Sequence, residues 1–105
     1  MNLNERPIPE AAMRDKDSVE MLRVWIAERK LHCVMKIGMY KESTNFSEST
    51  AWGKILADVA RHVAAAVESE YLIESKVSID EIQSAFLREL GNPTTEADGG
   101  FLRKH

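Results

Sequence analysis

Residues 57–67 read ADVARHVAAAV, with Asp58 four positions ahead of His62 and Arg61 between them. On a helix that spacing puts the two side chains on one face, a turn apart. A carboxylate so placed can fix an imidazole tautomer and raise its basicity, as general bases and metal ligands require. Trp52 and Gly53 stand near the start of the same helical pattern. There a tryptophan can wall a ligand beside a helix N-terminus, whose unpaired N–H groups attract anions. One reading therefore takes His62 and Asp58 as acid/base residues, with Arg61 and Trp52 binding a small anion. The other makes Asp58–His62 local helix support at the edge of an apolar stripe. In it Trp52 fills the core and Gly53 lets a strand approach closely. Two members of a triad are not a site, and the structural reading is preferred.

No metal or cofactor is expected. Zinc-type sites need three or four convergent ligands. His32 and Cys33 are neighbours in a strand pattern and point to opposite faces, so they cannot both join Asp58 and His62 in one shell. Cys33 falls on the apolar side of its strand, where a thiol behaves as a small hydrophobe. A nucleophilic role with His62 would require the helix to pack on that face. The chain carries no Gly-rich phosphate loop, dinucleotide fingerprint, nucleophile elbow or paired-cysteine motif. His105, at the C-terminus, is expected to be solvated.

These residues must be positioned by a small set of elements. In EMLRVWIAERKLHCVMKIGMY, Leu22, Val24 and Ile26 alternate with Met21, Arg23 and Trp25; Leu31, Cys33, Met35 and Ile37 alternate with His32, Val34 and Lys36. Period-two alternation on both sides of a short polar break reads as a β-hairpin. A loop centred on Arg29 and Lys30 pairs Ile26 with Cys33, Val24 with Met35 and Leu22 with Ile37. The polar run KESTNFSEST follows, with Ser49 or Thr50 as the expected N-cap. From Ala51 to about Tyr71 the period becomes helical, with Trp52, Leu56, Val59, Val63, Ala66 and Val67 on one stripe. A second helix is signalled by Ser78 and Glu81 as a capping box with a Val77–Ile82 staple. Its buried stripe is Ile79, Ile82, Phe86 and Leu90, with Leu87 at the edge, and Gly91 and Pro93 end it. The expected architecture is α+β, a single β-β-α-α domain over residues 19–91. An extended arm over residues 1–18 precedes it, with a short helical turn from Pro9 through Met13, and a flexible tail over residues 92–105 follows it.

The chain of 105 residues is 44% apolar and 30% charged, with a formal charge of −3. That length suits one modest core, and domains this small commonly gain stability by self-association. The charge balance argues against nucleic-acid or anionic-membrane binding, which needs a concentrated basic face. A single cysteine forms no internal disulfide, no apolar run reaches bilayer length, and no signal-peptide hydrophobic region opens the chain. The expected location is the cytoplasm.

LRVWIA, LHCVMKIGMY and AWGKILADVARHVAAAV together resemble a group of small bacterial proteins catalogued as a domain of unknown function. The likeness spans roughly residues 10 to 90 on the same β-β-α-α plan. It rests on Leu22, Arg23, Val24 and Trp25, on His32 and Cys33, and on Trp52, Gly53, Asp58, Arg61 and His62. The lead-in SEST departs from the more acidic, proline-containing segment of relatives. The resemblance implies a fold and no assigned activity.

The leading functional expectation is a protein–protein interaction or self-associating domain without catalysis, working as a homodimer or with an unidentified protein partner. The two helices are expected to cover the hairpin face built from Leu22, Val24, Ile26, Cys33, Met35 and Ile37. That leaves Trp25, Val34 and Met21 on the outer face as the interface. The alternative is an acid/base enzyme or small-anion binder using His62, Asp58 and Arg61. A third reading is a regulatory module for a nucleotide or acidic metabolite.

Overall fold

A computed structural model describes residues 4–40 and 47–102. The expected polar loop over residues 41–46 and the expected solvation of His105 fall outside the described residues. The elements are α1 (Glu10–Arg14), β1 (Leu22–Ala27), β2 (Lys30–Lys36), α2 (Glu48–Tyr71), α3 (Ser75–Gly91) and β3 (Ala97–Leu102). The fold is α+β: a hairpin, two helices, and a third strand that returns to the sheet.

β1 and β2 pair antiparallel, Leu22 opposite Met35, Val24 opposite Cys33 and Ile26 opposite Leu31. The expected pairing of Ile26 with Cys33 is therefore two residues out. The tight turn centres on Glu28 and Arg29, not on Arg29 and Lys30, and both turn residues have positive φ, 52° and 66°. Two left-handed residues in succession match the twist of the flanking strands, so a two-residue loop forms without the usual Asn-Gly. An offset of two preserves side-chain parity, and the apolar residues still share one face.

Residues 97–102, which the sequence assigns to a flexible tail, form β3. It lies beside β2 and parallel to it, giving the order β1-β2-β3. Gly99 sits opposite Cys33 with φ 133°, and a Cβ there would collide with the Cys33 carbonyl. The glycine is a condition of close pairing. Lys30 Nζ reaches Asp98 Oδ2 at 3.0 Å across the same pair of strands. Thr94 donates its backbone N–H to Glu89 Oε1 at 2.9 Å, holding the chain as it leaves α3.

Helix α2 starts earlier than the expected Ser49 or Thr50 boundary. Ser47 is the N-cap, and its Oγ accepts from the Thr50 N–H at 3.0 Å. Ser78 is not a cap: α3 begins at Ser75 after Glu74, and Ser78 lies buried within the helix. The reverse turn between the helices uses Leu72 in the left-handed region, and Ser75 Oγ donates to Glu68 Oε1 at 2.6 Å. Small or half-buried residues, Ala60, Ala64 and Val67 on α2 with Ser75, Ser78, Ile79 and Ile82 on α3, mark where the two helices meet.

The helical pair does not fold back over the sheet, contrary to expectation. Helices pack on each other and strands on each other, and sheet and helices share no extensive contact. The radius of gyration is 15.6 Å, whereas a compact chain of this length has about 13 Å. Ala51 and Ala64 are the only buried apolar residues among those described, and Phe86, Leu87 and Leu90 of the expected α3 stripe are exposed.

Candidate functional site

The Asp58–His62 pair does not form. Asp58 Oδ1 is held by Arg61 Nη2, three residues on, and both side chains are mostly exposed. The guanidinium takes the carboxylate through a charge-assisted bond. His62 is exposed on the same helix. Trp52 is drawn elsewhere, donating its indole N–H to Glu48 Oε2 at 3.1 Å. Asp58, Arg61, His62 and Trp52 line neither the concavity between the arm and β1 nor the one on α3 around Asp80 and Arg88. No group of three or more potential metal ligands occurs among the described residues. Gly53 has open space where a Cβ would stand, so no strand approaches it.

Sequence reasoning missed Glu48. Its carboxylate accepts the backbone N–H groups of Gly38 at 3.1 Å and Tyr40 at 3.2 Å, besides the Trp52 indole. This clamp ties the exit of β2 to the first turn of α2, at an elbow where Gly38 adopts φ 103°. A Glu four residues before a Trp carries no signal of such a role, since both backbone donors come from outside the helix.

The sheet presents two unlike faces. Trp25, Val34 and Met21, the expected interface residues, share theirs with Arg23, His32, Lys36 and Asp98. Trp25 is half-buried and directly opposite His32, whose Nε2 lies 3.1 Å from the Ala27 carbonyl. Arg23 on this face pairs with Glu20 at 3.1 Å and with Glu5 of the arm at 3.7 Å. A cleft of about 980 Å³ runs between the arm and β1, with Trp25 on its wall.

The other face carries no charge. It is built from Leu22, Val24, Ile26, Leu31, Cys33 and Met35, and continued by Ala97, Gly99 and Phe101 of β3. Val24 is 47% exposed and Ile26 73%. Helix α2 carries a second apolar strip, Leu56, Val59 and Val63 at i, i+3 and i+7, 37 to 48% exposed.

Among solved structures, the chain resembles one from the photosynthetic bacterium Rhodopseudomonas palustrus CGA009, named a "putative pyruvate dehydrogenase". Identity is 24%, the TM-score is 0.66, and the likeness covers 99% of this chain and 98% of that one. At that identity the likeness is one of fold. No protein of curated function matches the sequence. Residues 5–94 match a family described as a domain of unknown function, DUF5076. With so much of its length accounted for, hairpin, helices and elbow included, the chain belongs to the DUF5076 family.

Proposed function

We propose that this protein is a non-catalytic, self-associating domain that works as a homodimer, and that the charge-free sheet face is its association surface. The observation that carries the reading is surface area. The chain exposes 9131 Å², whereas a compact monomer of 11.9 kDa exposes about 6,000 Å². The excess is roughly 3,000 Å², and exposed apolar side chains such as Ile26, Val24 and Phe101 are part of the surface. A sheet with one wholly apolar face is marginal in water until that face is covered. The Trp25 face is the weaker choice because Arg23, His32 and Asp98 interrupt it. The single free cysteine favours a reducing compartment such as the cytoplasm. No helix among the described residues is long and apolar enough to cross a membrane. The alternative use of His62, Asp58 and Arg61 as an acid/base or anion site has less support, since Asp58 is engaged by Arg61 on an open helix surface.

Sedimentation at micromolar concentration tests the proposal. Wild type is expected as a dimer, and Ile26→Asp is expected to dissociate it by placing a carboxylate in the apolar face. A wild type that is monomeric at every accessible concentration overturns self-association. A dimer untouched by Ile26→Asp but dissociated by Trp25→Glu moves the interface to the opposite face.

A further inference from the structure

One chain leaves two apolar surfaces open, and they are of the kinds that normally cover each other. In α+β domains a helix lies across one face of the sheet. Here the sheet offers Val24, Ile26 and Cys33, while α2 offers Leu56, Val59 and Val63. The two share no extensive contact within the chain. Glu48 clamps the elbow between β2 and α2 through Gly38, Tyr40 and Trp52.

We propose that the protein is an exchanged homodimer in which α2 of each copy lies across the charge-free sheet face of the other. This rests on the self-association reading above and specifies which surfaces meet. A sheet-on-sheet dimer would leave both α2 strips in water, and a helix-on-helix dimer would leave both sheets. The crossed arrangement covers all four surfaces about a single two-fold axis, and exchange of an element between identical copies is a low-cost route to it. The areas agree. A standard interface removes about 800 Å² from each partner, and obligate homodimers remove more, their interfaces resembling a domain core cut in half. The excess surface of roughly 3,000 Å² per chain is enough for the obligate class even if the arm accounts for part of it.

Cys33, the only cysteine of the chain, lies on the sheet face and is a ready probe. The wild-type chain, with its thiol on the sheet, is refolded together with a differently tagged Cys33→Ala/Val59→Cys chain, with its thiol on α2. The mixture is then treated with a short bismaleimide. The expected main product is a covalent heterodimer of one chain of each kind, with no cross-linked product from wild type alone. Cys33→Ala/Leu56→Cys is the second helix variant, and it gives the same product if Val59→Cys does not fold. Abundant wild-type cross-links would place sheet against sheet and overturn the exchange while leaving self-association intact. A sedimenting dimer with no sheet-to-helix cross-link from a folded helix variant overturns it too. A monomer at all concentrations overturns the parent reading instead.

Discussion

Asp58 had two neighbours within reach, Arg61 at three residues and His62 at four, and the geometry of a helix allows either. In the structure Arg61 takes the carboxylate. The resulting pair is exposed on both sides, so Asp58→Asn should lower stability by less than about 0.5 kcal/mol in thermal melts. A loss of several kcal/mol, or a metal bound by wild type and released by the mutant, would reinstate a functional centre. Asp98 shows a residue whose ionisation matters to an element. A hydrogen bond from Lys30, joined by the charge attraction of Lys30 and more weakly of His32, holds its carboxyl below the ordinary aspartate value. A depressed folded value contributes stability above the unfolded value, and that contribution is lost as pH falls through the folded one. Acidification through the carboxylate range should therefore loosen the β2–β3 pairing. Protection of the β3 amides relative to their intrinsic exchange rate, measured against pH, should fall on acidification, and Asp98→Asn should reduce that fall.

At the scale of elements, parity was legible where register was not. Alternation along both strands sorts side chains between faces, and a two-residue offset leaves that sorting unchanged. Register depends on the turn, and Glu28 and Arg29 hold left-handed conformations that their types do not advertise. The caps teach a related lesson. Ser78 and Glu81 have capping-box spacing, yet α3 starts a turn earlier and buries Ser78 near the contact with α2. Ser47→Ala should cost about 1 kcal/mol, because a real cap bond is lost. Ser78→Ala should cost less, since alanine is the better residue within a helix. Denaturant midpoints of the two variants check the order, and the reverse order would put the boundary of α3 at Ser78. In β3, Asp98-Gly99-Gly100 suggests flexibility, yet Gly99 is needed where β3 meets the Cys33 backbone.

The whole molecule is open, with a helical pair and a sheet joined at the Glu48 elbow. If the copies complete one another's core, folding and association are one equilibrium. Apparent stability should then rise by about 1.4 kcal/mol for each tenfold increase in protein concentration. Melting curves recorded across two decades of concentration would show it as a rising midpoint. A midpoint independent of concentration would mean that each chain is stable alone.

What the sequence determined by itself was local. Hydrophobic period assigned two strands and two helices, and pattern kept Leu22, Val24, Ile26, Cys33 and Met35 on one face. These follow from side-chain alternation and helical pitch, which act between near neighbours. Tertiary structure alone decided that Asp58 turns to Arg61, that Glu48 gathers donors from Gly38, Tyr40 and Trp52, and that residues 97–102 return beside β2. It also decided that the helices stay off the sheet. Such outcomes depend on how residues distant in sequence compete for the same partner or the same apolar surface, and periodicity holds no information about that competition.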